Sequence, residues 1–130
     1  MALTDFDSLF KSFSNLKVAV IGDVMLDTYW WGKVDRISPE APVPVVAVTS
    51  REERIGGAAN VALNVKAMGA NVHILSVIGA DPDGKKLETL LNQNRIQTDY
   101  LVKSEKRLTT NKIRIISRNQ QMMRLATHHQ

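Results

Sequence analysis

The sequence contains no cysteine, which excludes disulfides and thiolate metal sites and makes a reducing cytoplasm the default expectation. No apolar run reaches the roughly 18–20 residues that a membrane helix requires. The N-terminal MALTDFDSLFKSF carries Asp5 and Asp7 without an apolar stretch, so no signal peptide is expected. Aromatic residues are scarce, at 5% of the chain. Acid is scarce toward the end: from residue 101 onward seven Lys/Arg face Glu105 alone, whereas the first hundred residues hold ten basic against twelve acidic side chains. A basic end of this kind suits nucleic acid, a small phosphorylated ligand or a solvated face. No Phe, Tyr or Trp follows Tyr100, so the rings that stack on bases are missing and nucleic acid is not expected as a partner.

What is present fits one soluble globular domain of 130 residues, 44% hydrophobic and 23% charged. Phe6, Leu9, Phe10 and Phe13 fall at i, i+3, i+4 and i+7, the spacing of an amphipathic helix. Val18-Ala19-Val20-Ile21, ended by Gly22, reads as a parallel strand buried on both faces, and Val72–Ile78 reads the same way. Extended stretches over Thr28–Val34 and Val43–Thr49 flank the turn-prone Ser38-Pro39-Glu40-Ala41-Pro42. Gly56-Gly57 opens a helix that runs to Met68 and closes at Gly69. Asp81-Pro82-Asp83 is a helix start, followed by a stripe of Leu87, Leu90 and Leu91. Further strands are expected near Asp99–Val102 and Thr109–Ile116. The order of strands and helices predicts an α/β sheet. Two buried parallel strands are few for such a sheet, so the chain reads as part of a larger domain.

Two constellations carry candidate chemistry. Gly22-Asp23-Val24-Met25-Leu26-Asp27 follows the first strand, where open parallel sheets bind ligands. Asp23 is expected to cap a turn, and Asp27 to accept hydrogen bonds from adjacent sugar hydroxyls. A dinucleotide site would want a second and third glycine in register after Gly22, and these are missing. The second constellation is Gly56-Gly57-Ala58-Ala59-Asn60. Paired glycines let a ligand touch the backbone, and a helix start offers unpaired N–H groups. Asn60 and Asn64 share a helix face, and an amide in the first turn can both donate to and accept from hydroxyls. A tight turn followed by a core amide would look the same.

In register, these segments are specific. GGAANVALNVKAMGANVHILSVIG, with GDVMLD upstream, resembles the ribokinase-like (phosphofructokinase-B type) carbohydrate kinases, and the likeness covers about residues 16–125. Within that family, GDVMLDTYWWGKVDRISPEAPVPVV and TTNKIRIISRNQQMMRLA look like the heptose 7-phosphate kinases of ADP-heptose (lipopolysaccharide core) biosynthesis. The resemblance implies a three-layer α/β/α fold with a parallel central sheet and a small β-lid, of which residues 1–130 form the N-terminal part. The lid segments would be about 28–50 and 106–118. It also implies that Asp27, Gly56, Gly57 and Asn60 bind the sugar, and that a homodimer forms through the lid. The reaction implied is ATP- and Mg²⁺-dependent phosphorylation of the anomeric hydroxyl of a heptose 7-phosphate. The other readings are a different sugar or nucleoside kinase of the same fold, or a non-catalytic sugar-phosphate-binding or assembly piece.

The family's catalytic Asp in a G-A-G-D type helix mouth, its Mg²⁺-associated Asn/Glu motif and its adenine-binding residues have no counterpart in this sequence. The base and nucleotide site are therefore expected elsewhere in the parent enzyme, and no cofactor or metal is expected on these residues alone. Arg124-Leu125-Ala126-Thr127 stands where the family suggests Arg-Leu-Asp-Phe. His128 and His129 read as tail rather than as metal ligands. Spacing alone adds one feature: in an extended segment Thr110, Lys112, Arg114 and Arg118 share a face. That cationic stripe suits a substrate already carrying a phosphate, with Lys112 and Arg114 as its readers. A solvated edge strand kept soluble by its charges would give the same pattern. Tyr29-Trp30-Trp31, three of the seven aromatics in a row, puts bulk on both faces of one strand.

Overall fold

The computed structural model describes residues 5–127, so His128 and His129 lie outside the described residues. The expected helices form. Asp5 caps α1 (Phe6–Phe13) by accepting from the Ser8 N–H at 3.2 Å. α2 (Ala58–Ala67) is rich in alanine, the strongest helix former, and ends at Met68 before Gly69, which takes φ +105°. α3 (Pro82–Gln93) starts on the expected cap, with the Asp81 carboxylate accepting from the Gly84 N–H at 2.7 Å and proline in the first turn.

Seven strands make two sheets. The first is all parallel, in the order β1-β4-β5: β1 (Lys17–Ile21) pairs with β4 (Asn71–Gly79), and β4 with β5 (Leu101–Ser104). The second has the order β3-β2-β6-β7. β2 (Val24–Ile37) and β3 (Pro44–Gly57) form a long antiparallel pair. β6 (Asn111–Ser117) runs parallel to β2, and β7 (Gln120–Thr127) returns antiparallel to β6. Both β2 and β3 outrun the expected stretches, because the ladder between them continues from Thr28 back to Val24 and from Thr49 on to Gly57. β7 was not expected. Its turn, Arg118-Asn119, has φ of 51° and 60°, the type I′ geometry that matches the twist of a two-residue hairpin.

The core lies between one face of the parallel sheet and helices α2 and α3. Ile74, Ile78, Leu87, Leu91 and Ile96 are its largest members, and Val24 and Ile55 extend it to the root of the second sheet. The stripe expected on α3 is confirmed at Leu87 and Leu91, with Leu90 partly buried. Burial of β1 and β4 on both faces is not observed. The parallel sheet alternates instead, and Ile21 is 77% and Val102 57% exposed on its uncovered side. Helices α2 and α3 cover one face of these apolar runs only.

Candidate functional site

Asp27 is the fourth residue of β2, on the face that turns away from α3. Its neighbours Leu26 and Thr28 point to the other face and are buried. Cross-strand register puts Arg54 of β3 on one side of Asp27 and Lys112 of β6 on the other, and it puts Arg114 beside Tyr29. Arg114 Nη1 donates to Asp27 Oδ1 at 2.9 Å, with the side chains 24% and 19% exposed, so the pair is only partly shielded from water. That hydrogen bond holds the Arg114 guanidinium above its ordinary pKa. Arg54 and Arg114 both lie over the Tyr29 ring, at 4.8 and 5.3 Å from its centre, and Tyr29 stacks on Trp31 at 6.3 Å. Trp30 points to the opposite face, under Arg51 at 5.0 Å.

The two glycines are required by this arrangement. A side chain at Gly56 would collide with the Asp27 carboxylate, and one at Gly57 with the Asp23 carbonyl. Gly57 also has φ +61° and ψ −136°, a conformation that is essentially glycine-only. It serves as the N-cap of α2 without any side-chain cap, and the Asp23 carbonyl accepts from the Ala58 N–H at 2.9 Å. Asp23 therefore caps the start of α2, as the sequence suggested, and does so through its backbone carbonyl. Its carboxylate, 80% exposed, is held by Arg107 at 3.1 Å. Asn60 stands exposed in the first turn of α2, with Asn64 exposed one turn later.

Of the expected site residues, the structure brings together Asp27, Gly56, Lys112 and Arg114, with Gly57 next in the chain. Asn60 is one helical turn further on and does not bond to Asp27. Arg118 leaves the expected stripe: it occupies the β6–β7 turn with positive φ, so the alternation that unites Lys112 and Arg114 no longer applies to it. Thr110 precedes β6. Arg54 and Tyr29 were missed. Arg54 could have been found from the period of two that links it to Gly56.

The covered face of the second sheet is tied to α3 by polar contacts. Thr28 donates to Asn111 Oδ1 at 2.9 Å, and Asn111 Nδ2 donates to Asp83 at 2.9 Å. Lys86 bridges Glu53 of β3 at 2.7 Å. Just before β6, the Thr109 N–H donates to Asp81 at 2.8 Å, and the Thr109 hydroxyl accepts from the Gly79 N–H at 2.9 Å. Burial alone would push the Asp81 carboxyl up, but the Thr109 and Gly84 N–H groups and the Thr109 hydroxyl outweigh it and hold the group below the usual carboxylate range. The strands bearing Asp27, Arg54 and Lys112 thus rest on the first turns of one helix.

A groove of about 650 Å³ lies on the uncovered side of the parallel sheet and is lined by Ile21, Asp23, Leu75, Tyr100 and Arg107. It does not include Asp27, and it is mostly apolar sheet surface, so the carboxylate-and-guanidinium cluster is the better candidate for sugar chemistry. Among the described residues no three His, Asp or Glu side chains converge on one point. These residues do not by themselves fit a divalent cation.

Residues 15–128 match the profile of the pfkB family of carbohydrate kinases. Among similar proteins, the D-beta-D-heptose 7-phosphate kinase of Bordetella bronchiseptica is 54% identical over 115 residues, 88% of this chain and 36% of that protein. The bifunctional protein HldE of Pasteurella multocida is 53% identical over 113 residues, 87% of this chain and 24% of that protein. The chain thus spans about a quarter to a third of the length of these relatives. A carbohydrate kinase from Agrobacterium tumefaciens has the same fold over 85% of this chain and 35% of its own, with TM-score 0.70 and 24% identity. A sugar kinase from Pyrococcus horikoshii in complex with ATP matches at TM-score 0.60 and 26% identity, over 86% of this chain and 34% of its own. With its ribokinase-like α/β fold, this chain belongs to the pfkB family of carbohydrate kinases.

Proposed function

We propose that these residues form the sugar-binding part of a kinase that transfers the γ-phosphate of ATP to the anomeric hydroxyl of D-glycero-D-manno-heptose 7-phosphate, in ADP-heptose synthesis. One observation carries the reading: the Asp27 carboxylate lies against the Gly56 backbone on the same open sheet face as Lys112 and Arg114. High identity to a heptose 7-phosphate kinase supports it. In this reading Asp27 accepts from adjacent sugar hydroxyls, Gly56 and Gly57 give the ring access to the backbone, and the Asn60 amide binds a further hydroxyl. The cationic side of the face holds the 7-phosphate through charge-assisted hydrogen bonds. Phosphoryl transfer depends mainly on positioning and charge stabilisation, and these residues supply the positioning of the acceptor. ATP, Mg²⁺ and the general base belong to the remainder of the enzyme, so the 130-residue chain alone is expected to transfer no phosphate.

The second sheet serves as a lid over the sugar, and the face opposite Asp27, at β7, pairs two copies into a dimer. Met123 and Leu125, 55% and 44% exposed, lie on that opposite face across from Ile115 and Ile113, with Arg124 turned to the sugar side between them. The site of action is the cytoplasm, where ATP is available; no helix among the described residues is long and apolar enough to cross a membrane. The deciding experiment is a substrate panel on the full-length protein. Heptose 7-phosphate should exceed free heptose, fructose, ribose and nucleosides in kcat/KM. Preference for a nucleoside or an unphosphorylated sugar would establish the rival reading within the same fold.

A further inference from the structure

Arg124 of β7 stands directly across from Arg114 of β6 in an antiparallel pair. Such partners share a sheet face, with Cα atoms about 5 Å apart, so Arg124 lies on the open face with Asp27, Tyr29 and Lys112. Lys112 and Arg114 are alternate residues of one strand, and Lys112 lies diagonally from Arg124, within about 7–8 Å. Like charges directly opposite one another destabilise a sheet. The ion pairs of this face do not relieve them: Asp27 is engaged by Arg114 and Glu52 by Arg54, and no ion pair among the described residues involves Lys112 or Arg124. Once those two pairs are neutralised, Lys112 and Arg124 remain as two uncompensated positive charges. A phosphate monoester carries about −1.5 to −2 at neutral pH.

We infer that Arg124 is a phosphate-binding residue, forming with Lys112 the seat of a phosphate monoester. Arg114 orients the sugar-gripping carboxylate between them. The inference rests on the reading of the substrate as a phosphorylated sugar and adds a residue that the stripe on β6 does not contain. Arginine suits the role, since its planar fork matches two phosphate oxygens at once. Its position on an edge strand also explains how two guanidiniums face one another across a ladder: the bound anion supplies the missing charge.

The test uses the full-length protein and inorganic phosphate as probe, titrated against sodium chloride at equal ionic strength. Phosphate should raise the Tm of the wild type. It should raise that of R124Q far less and that of R124K by an intermediate amount. Without phosphate, the Tm of R124Q should be no lower than that of the wild type, because a like-charge contact has gone. In turnover, R124Q should raise KM for heptose 7-phosphate roughly ten- to a hundredfold, with KM for ATP and for unphosphorylated heptose unchanged. A lower Tm without phosphate, with the phosphate response intact, would show that Arg124 pairs with an acid of the protein itself and would overturn the inference. If K112A narrows the preference for the phosphorylated sugar while R124Q does not, the inference alone falls. If phosphate stabilises no form and neither variant alters the preference, the phosphorylated-sugar reading falls with it.

Discussion

The two sheets solve opposite problems with the same chain. The parallel sheet is apolar on both sides, gathers the core on one of them and leaves Ile21 and Val102 bare on the other. The mixed sheet is two-faced by design of its alternation. Leu26, Thr28 and Asn111 pack toward α3, while Asp27, Arg54, Lys112 and Arg114 look outward. The first sheet therefore holds the core, and in the proposed function the second contributes the chemistry. What joins them is the first turn of α3, where Asp81 and Asp83 reach the strand that carries the cations.

If that division holds, substitutions in the two sheets should separate stability from activity. The largest effect on folding is expected in the core that α3 packs against the parallel sheet. Leu87→Ala, at a fully buried position, should cost about 2–5 kcal/mol by lost transfer energy and the cavity left behind. Urea denaturation of the full-length protein measures it, and the kinetics of the molecules that remain folded should be unaltered. Asp27→Ala lies next. It frees Arg114 on a face already rich in cations, so the denaturation midpoint should fall, though by less than for Leu87→Ala, while kcat/KM for the sugar falls by about 10- to 150-fold, the equivalent of about 1.5–3 kcal/mol of hydrogen bonding to a charged group. ATP affinity should not move. A fall in stability without loss of sugar selectivity would erase the distinction between the sheets.

The smallest effect belongs to the joint between them. Asp81→Ala removes a helix cap and the acceptor of the Thr109 N–H, and should cost about 0.5–2 kcal/mol at pH 7. Because the folded carboxyl titrates below its unfolded value of about 3.9, its stabilisation is complete above that pH and is lost as pH falls through the lower folded value. The difference between wild type and variant should therefore narrow in acid, which denaturation at a series of pH values will show. A constant difference down to low pH would mean that the cap does not depend on charge.

Much of this was legible in the residues. The caps at Asp81 and Gly69, the leucine stripe of α3 and the strands at β1 and β4 follow from local chemistry that tertiary structure does not override. Asp27, Gly56 and Gly57 were singled out through spacing and family likeness, and the structure brings Asp27 and Gly56 together: the carboxylate lies where a side chain at Gly56 would be. Non-local information was hidden. The Asp27–Arg114 ion pair joins residues 87 apart, and no period in the sequence announces a parallel pairing of β2 with β6. Strand β7 was overlooked because Arg118-Asn119 lacks the glycine that usually marks a type I′ turn. With the turn unseen, Arg118 was placed on the stripe and Arg124 was left off it.

The same long-range pairing sets an order of assembly. β2 and β3 are consecutive and can zip as a hairpin from the turn at 38–43, whereas β6 must wait for α2, β4, α3 and β5 to bring it alongside β2. Loop closure over such a span is paid before its contacts are gained, so this step is slow relative to local hairpins and helices. As the chain leaves the ribosome, the outer edge of β2 stays unpaired until about residue 117 has emerged. During that interval the nascent chain presents Tyr29, Trp30 and Trp31 beside an open hydrogen-bonding edge. Chaperone binding, or pairing with another nascent copy, would compete with folding at that place above all others.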